Sequence, residues 1–404
     1  MLSELRPVGN RINLDTKPFD SALLTRFSFI GFNSGTEALA ACLESIKKAN
    51  PKVNNPNVIL PAYTCPDVIS ACIFAGVNPI LIDLDEKTCW MSLVELASKL
   101  NKNCIAIIAI NFMGIPERID LIRGAVIDFY KNNAENQIPK ISIIEDSAQG
   151  FPISDLENYW KGDIIITSFG RGKPLNLLGG GGILFKPENS NQKVTECLKQ
   201  LEYPNLKQTT YGLVLYLVKA MLFNLMSGSF FYYFLSRLSF LKLGETKFYP
   251  LDKINKIPSF IENQFNNNYR IYKNRPSLRK DYDQLISELK SPLIISLPIQ
   301  SKLPIEYPLL RYPILVKDKN LRNELFEKLS DKGLGVSKMY QNILPNIKGI
   351  NASMFQEVGE YPNSKNLAVQ LLTLPMHEDV TEIHLQKISQ IIKEFNNNVG
   401  HPSG

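Results

Sequence analysis

The sequence predicts an α/β fold: a mostly parallel central sheet followed by a smaller C-terminal α/β domain. Three observations carry this expectation. Between Asn57 and Phe185, short apolar β-branched runs alternate with helix-length stretches; after Pro250 the composition turns polar; and a second strand and helix alternation follows from Arg311. Runs that are apolar throughout, rather than at every second residue, belong to strands covered by helices on both faces and joined by right-handed crossovers.

In chain order, the expected strands of the first unit are Val58 to Leu60, Pro79 to Leu84, Ile105 to Phe112, Ile141 to Glu145, Asp163 to Ser168 and Gly182 to Phe185. The helices between them are Thr36 to Lys48, Pro66 to Ala75 and Met91 to Leu100. A charged, helix-like segment from Glu262 to Leu289 connects to the second unit. That unit comprises a strand Arg311 to Val316, a helix Asn320 to Lys332, a strand Leu371 to Leu374 and a terminal helix Thr381 to Asn396. The division expected is residues 1–249 for the large domain and 250–404 for the small one. No internal repeat or low-complexity tract interrupts the pattern.

The stretch from Gly212 to Leu243 is the most apolar of the chain, with Phe230, Phe231, Tyr232, Tyr233 and Phe234 in one run. Lys219, Asn224, Gly228 and Arg237 break it, so no clean run of about 20 apolar residues exists to span a membrane. Buried helices at a subunit or domain interface are the expectation, with contact to a membrane surface as the competing reading.

A chain of 404 residues with 45 Lys+Arg against 39 Asp+Glu has a net charge of +6. That excess falls short of the clustered basic face of a nucleic-acid binder and better suits a small anionic substrate. Cys42, Cys65, Cys72, Cys89, Cys104 and Cys197 form no C-x-x-C pair, and three histidines cannot complete a zinc pattern, so no metal site is expected. Reduced thiols fit a cytoplasmic protein. Met1 to Asn13 carries charges and a proline where a secretory signal would have an apolar core.

Three segments sit where strands end or helices begin, the edge at which open α/β sheets place ligands. Asn33-Ser34-Gly35-Thr36 precedes a helix, where small residues, amide groups and the positive end of the helix dipole suit a phosphate; Ser34 or Thr36 serves equally as an ordinary cap. Ile143-Ile144-Glu145-Asp146-Ser147-Ala148-Gln149 is an apolar strand ending in carboxylates, able to pair with a cationic ring nitrogen, to ligate a metal or to start a loop. Ser168-Phe169-Gly170-Arg171-Gly172-Lys173 leads through Pro174 to four glycines, 179–182. A lysine withheld from bulk water there becomes nucleophilic, whereas in a mobile loop it is only a solvated charge. Neither G-x-x-x-x-G-K-[ST] nor G-x-G-x-x-G is present, which removes the phosphate-loop and dinucleotide readings.

In this order, S-G-T before a helix, P-A-Y-T after a strand, E-D-S-A-Q, S-F-x-x-x-K, the glycine run and L-T-L-P-M-H near the end, the chain resembles the DegT/DnrJ/EryC1/StrS family of sugar aminotransferases from about Phe32 to Phe395. The resemblance implies the fold type I, aspartate aminotransferase-like architecture, pyridoxal 5'-phosphate as cofactor, L-glutamate as amino donor, a keto or aldehyde sugar as acceptor, and a homodimer with sites at the subunit interface. Carried over by position, it implies that Lys173 forms the internal Schiff base, that Asp146 partners the pyridinium nitrogen and that Gln149 neighbours the ring hydroxyl. Ser34, Gly35, Thr36 and Ser168 fall on the phosphate-binding segments.

Two departures mark this chain. Where many members carry an aromatic residue stacked on the ring, it has Pro61-Ala62-Tyr63-Thr64-Cys65-Pro66, so that Cys65 covers the ring instead. The family's N-Y-R segment is replaced by Lys247-Phe248-Tyr249-Pro250, and a literal Asn268-Tyr269-Arg270 lies in the later charged helix. The Tyr63 to Pro66 segment and the apolar stretch are similar to the branch that aminates an 8-oxo-3-deoxy-octulosonate, an acidic sugar of lipopolysaccharide. Such a substrate needs a cation: Arg171 and Lys338 are the candidates, with Tyr340 and His377 as further pocket residues and solvated or structural roles as the alternative for each. Nucleotide-linked keto-hexoses are the broader expectation. Sugar dehydration is disfavoured because the family's dehydratases carry histidine where this chain has Lys173, and a desulfurase needs a mobile cysteine, whereas Cys65 follows directly on a predicted strand. A membrane-associated binding or regulatory protein is the reading outside enzymology.

Overall fold

Strands β1 (Ser28–Phe32), β2 (Asn57–Pro61), β3 (Asn78–Ile82), β4 (Cys104–Ile110), β5 (Ser142–Asp146), β6 (Ile164–Ser168) and β7 (Gly181–Phe185) form one seven-stranded sheet in the order β1-β7-β6-β5-β4-β2-β3. The computed structural model describes residues 4–15, 17–24, 26–133, 138–187, 191–205, 209–237 and 246–400. Strands β3, β2, β4, β5 and β6 run parallel, while β7 is antiparallel to both β6 and β1. Every residue of β2, β4, β5 and β7 is buried, as the unbroken apolar runs require of a sheet covered on both faces.

The covering helices are α1 (Gly35–Ala49), α2 (Pro66–Ala75), α3 (Leu93–Lys99), α4 (Ile119–Asn132), α5 (Leu156–Tyr159) and α6 (Gln192–Lys199). Next come α7 (Thr210–Met226), α8 (Ser229–Ser236), α9 (Ser259–Glu262), α10 (Phe265–Lys273) and α11 (Arg279–Leu289). The second sheet, β8 (Ile294–Ser296), β9 (Arg311–Val316) and β10 (Leu371–Pro375), is antiparallel in the order β10-β9-β8. It is accompanied by α12 (Leu297–Gln300), α13 (Lys319–Ser330), α14 (Pro362–Gln370) and α15 (Glu382–Gly400).

Strand register fixes where chemistry can occur. Phe32 at the end of β1 pairs with Gly181, and Gly181 pairs with Ser168 at the end of β6. The start of α1 therefore sits at the same sheet edge as the C-terminal ends of β5 and β6. Gly181 makes this possible, since a Cβ there would lie 2.4 Å from the Gly35 nitrogen.

Strand β1, absent from the sequence reading, is held by β7 rather than by its own pattern: the Phe29 ring occupies the space over Gly182, 2.1 Å from where a Cβ would be. The single charged helix expected from Glu262 to Leu289 is instead α9, α10 and α11. The break before α11 contains Pro276, which lacks an amide proton and keeps its predecessor out of the helical region. The apolar stretch forms α7 and α8, broken at Gly228; residues 238–243 of it lie outside the described residues. Within one chain α7 buries only Tyr216 and Ala220 and leaves Met221, Leu222 and Leu225 half or more exposed, so no domain interface within the chain covers this face. No helix among the described residues is long and apolar enough to cross a membrane.

The N-terminal arm joins the two units. The amide of Leu5 donates to the Gly333 carbonyl, and buried Arg6 pairs with Glu378 at 2.7 Å and with Asp379. Asn10 donates to the Pro174 carbonyl at 2.9 Å and accepts at its own carbonyl from Asn176 at 2.8 Å, so the arm also braces the loop that carries Lys173.

Candidate active site

Gly35, Thr36 and Leu39 from the start of α1, Cys65, Asp67 and Val68 from the start of α2, Asp146 and Ala148 at and after the end of β5, and Ile166, Ser168 and Lys173 on and after β6 line one cavity. Four separate segments thus converge at the edge set by the sheet register.

At one end lies the first turn of α1. Ser34 caps this helix, its Oγ accepting from the Glu37 amide at 3.1 Å, and is not on the cavity wall. The cap leaves the opening turn as a positive helix end whose amides lack carbonyl partners inside the helix. Gly35 presses on Ser168, where a Cβ would come within 2.7 Å of the Ser168 Cβ. The Thr36 and Ser168 side chains add hydroxyls at the same place.

Asp146, on the same wall, is 8% exposed. Its Oδ1 accepts from the Ala148 amide at 3.0 Å, and no second partner is found among the described residues. Burial pushes its carboxyl above the usual carboxylate range, while the Ala148 amide and the Lys173 ammonium pull it back. Glu145, one residue earlier, points to the opposite face, as strand alternation demands. Its oxygens are taken by Asn111 Nδ2 at 2.7 Å and by the Lys161 and Gly162 amides at 2.8 Å. Burial raises it to about 7, but it is absent from the cavity wall.

Lys173 sits half-buried in the turn after β6, its amide donating to the Gly170 carbonyl at 3.2 Å. Gly172 takes a positive φ of 75° there, the conformation a glycine adopts at no steric cost. Cys65 precedes α2 without a capping hydrogen bond, and burial pushes its thiol up to about 12, so at neutral pH it is a thiol and not a nucleophilic thiolate. The wall thus brings together a positive helix end, two hydroxyls, a buried carboxylate and a lysine amine.

The remaining expected residues are placed elsewhere. Gln149 is off the cavity wall: Oε1 accepts from the Met113 amide at 3.0 Å and Nε2 donates to Tyr340 Oη at 3.2 Å. Tyr340 is buried behind Cys65, to which its hydroxyl is hydrogen-bonded, and its carbonyl accepts from Tyr63 Oη at 2.8 Å. Lys338 turns to α13, with Nζ 3.3 Å from Asn323 Oδ1 and 4.3 Å from the Phe326 ring centroid. Arg171 is exposed beside the lysine turn and does not line the cavity. His377 is 4% exposed, its Nε2 paired with the Arg6 carbonyl at 2.7 Å and its Nδ1 accepting from the Asp379 amide at 3.3 Å. Burial and nearby Arg6 push it down to about 3, so it is a neutral brace for the N-terminal arm. Asn268 of the literal N-Y-R pins the same arm, exchanging two hydrogen bonds of 2.9 Å with the backbone of Asn13. Asp67 was not anticipated: in sequence it is an ordinary acid in the first turn of a helix, and only the fold turns it into the cavity.

A model of the DegT/DnrJ/EryC1/StrS aminotransferase family matches residues 21–216 and 259–393. The UDP-N-acetyl-3-dehydro-alpha-D-glucosamine 3-aminotransferase of Acidithiobacillus ferrooxidans is 27% identical over 157 residues, which span 38% of this chain and 39% of that protein. The dTDP-4-amino-4,6-dideoxy-D-glucose transaminase of Shigella dysenteriae is 21% identical over 369 residues, 90% of this chain and 84% of that one. Among solved structures, a sugar aminotransferase of Streptococcus pneumoniae in its PLP form aligns with a TM-score of 0.65 at 17% identity, covering 98% of this chain and 99% of that one. A Helicobacter pylori aminotransferase involved in the biosynthesis of pseudoaminic acid aligns with a TM-score of 0.67 at 13% identity, covering 98% and 100%. At these identities the structural likenesses establish the fold.

Proposed function

The chain belongs to the DegT/DnrJ/EryC1/StrS aminotransferase family, and from that premise we propose that it is a pyridoxal phosphate-dependent transaminase moving the amino group of L-glutamate to a keto or aldehyde sugar. The observation that carries the assignment of residues is the convergence of Lys173, Asp146, Ser168 and the first turn of α1 on one cavity.

Pyridoxal phosphate, when bound, supplies the electron sink that lets an amino acid lose its α-proton. The residues present fit it. Gly35, Thr36 and Ser168 would hold the phosphate at the positive end of α1, where the missing Cβ of Gly35 lets Ser168 approach closely. Asp146 would keep the ring nitrogen protonated; a carboxylate with one hydrogen bond and little water is stabilised when a cation is placed against it. Lys173 would hold the cofactor through Nζ, and its amine is placed to take the donor's α-proton as general base and return it as general acid. Cys65 would cover the bound ring as a neutral thiol on the cavity wall. Gln149 acts from behind Tyr340 and Met113 and not on the ring hydroxyl directly.

The two relatives matched by sequence are named for nucleotide-linked sugars, which supports a nucleotide-linked keto-hexose as acceptor in the assembly of a surface polysaccharide. The 8-oxo octulosonate is the second reading, favoured by the Tyr63 to Pro66 segment; Lys338, one of the cations suggested for its carboxylate, turns away from the cavity. We further propose a cytoplasmic homodimer in which a second copy covers the exposed apolar face of α7 and α8, where Met221 is 64% and Phe230 55% exposed. The test is amino transfer from L-glutamate to a panel of keto and aldehyde sugars by the yellow, cofactor-loaded protein. Turnover of nucleotide-linked keto-hexoses is expected. Turnover of the octulosonate aldehyde alone transfers the assignment to the second reading, and a colourless protein that moves no amino group refutes both.

A further inference from the structure

Four groups on the wall of the lysine cavity can carry charge: Cys65, Asp67, Asp146 and Lys173. Burial keeps the Cys65 thiol neutral, while Asp146 is assigned to the ring nitrogen and Lys173 to the cofactor itself. Asp67 is left without a role. Its carboxylate makes no hydrogen bond or ion pair to a described residue. Like any acid in the first turn of a helix it favours the dipole of α2, but it caps nothing: the N-cap is Cys65, and Pro66 brings no amide proton. The carboxylate lies on the cavity wall instead.

Three neighbours locate its charge. Beyond the effect of burial, Asp67 raises the proton affinity of Asp146 at the end of β5, of Cys65 two residues before it, and of Tyr340 behind Cys65. Two carboxylates thus share one cavity with a single ammonium, that of Lys173, which pulls Asp146 back down. Like charges held in this way repel each other, and a cation brought in beside them is favoured by both. Once the Lys173 amine is used to hold the cofactor, the wall has no other basic side chain to balance the two acids. A proton on the ring nitrogen restores the balance. Asp67 is exposed while the cavity is open, so water screens it; a ring that fills the space and displaces that water strengthens its field.

We propose that Asp67 is a second anionic partner of the cofactor's ring nitrogen, acting through space beside Asp146, so that the two carboxylates together hold its proton. This rests on the transaminase reading of the cavity. Asp146 makes the contact, and Asp67 sets the charge around it.

The probes are pyridoxal phosphate and its carbocyclic analogue, in which C–H replaces the ring nitrogen. Calorimetric titration of each into cofactor-free protein gives a ratio of dissociation constants that reports on the nitrogen, because phosphate, aldehyde and ring shape are common to both. Wild-type protein is expected to prefer pyridoxal phosphate. Asp67→Asn should cut that preference about 3- to 30-fold, less than the roughly 10- to 1000-fold loss in Asp146→Asn, because a screened charge at a distance acts more weakly than one in contact. Asp67→Glu keeps the charge and should retain most of the preference, whereas Asp67→Ser, neutral at the same helix position, should repeat the loss. The glutamate half-reaction should slow in the order in which the ratio falls. A wild type without preference, or an unchanged ratio in folded Asp67→Asn and Asp67→Ser, overturns the proposal. An unchanged ratio with a lowered Tm leaves Asp67 only its effect on the helix dipole, and an unchanged ratio with a raised KM for the acceptor makes it a binder of sugar hydroxyls. Wild-type protein with neither a visible band nor glutamate turnover refutes the transaminase reading instead.

Discussion

Replacing Asp146 by Asn separates the charge of the carboxylate from its shape, and the structure assigns opposite signs to the two consequences. In the cofactor-free protein, Asp146 is 8% exposed and accepts a single hydrogen bond, from Ala148, which an amide oxygen retains. Because burial raises its folded pKa, the stability it contributes is full below the unfolded value and is lost as pH rises through the folded one. The cofactor-free Asp146→Asn protein is therefore expected to melt at or above wild type at pH 8, with the two converging toward pH 4. With cofactor bound the sign reverses. An opposite charge in contact is worth 1 to 3 pKa units, about 1.4 to 4 kcal/mol, so losing it slows the glutamate half-reaction roughly 10- to 1000-fold. The assays are thermal melts of cofactor-free protein at several pH values and stopped-flow decay of the visible band. Glu145→Gln is the control: it sets an NH₂ group among three donors at about 1 to 3 kcal/mol per unpaired group, lowering Tm but sparing the rate of the folded fraction. A wild-type half-reaction rate in Asp146→Asn, or a slow one in folded Glu145→Gln, refutes the assignment of the ring partner.

Lys173→Ala should abolish the visible band of protein incubated with pyridoxal phosphate, since no other lysine lines the cavity; an unchanged band removes Lys173 from its role. Cys65→Ala should remain active, because a thiol raised to about 12 packs and does not attack; activity lost with cofactor still bound restores a cysteine mechanism. His377 has its folded pKa depressed to about 3, so the stability it contributes is present above the unfolded value of 6.5 and lost as pH falls from there toward 3, at up to about 1.4 kcal/mol per pH unit. Urea titrations at pH 7, 5 and 4 should show a shallower acid loss in His377→Gln than in wild type, and identical slopes would count against a neutral buried histidine.

The sequence by itself determined the layers of this protein and most of one cavity wall. Unbroken β-branched runs can only be strands covered on both faces, and residues at strand ends and helix starts fall at one edge because parallel strands all finish there; Asp146, Ser168, Lys173, Gly35 and Thr36 were legible for that reason. What the sequence could not supply was direction and partnership between distant segments. Alternation along β5 separates Glu145 from Asp146, but only the sheet shows which of the two faces the cavity. Lys338 and His377 looked like free polar groups until packing gave them Asn323, Arg6 and Asp379. Strand β1 has too little pattern of its own and exists because β7 offers a glycine for Phe29. Asp67 and the brace formed by the N-terminal arm likewise emerged only in three dimensions. Periodicity is a local property that neighbouring residues enforce, whereas the pairing of a buried charge depends on contacts hundreds of residues apart, and those are decided by the tertiary structure alone.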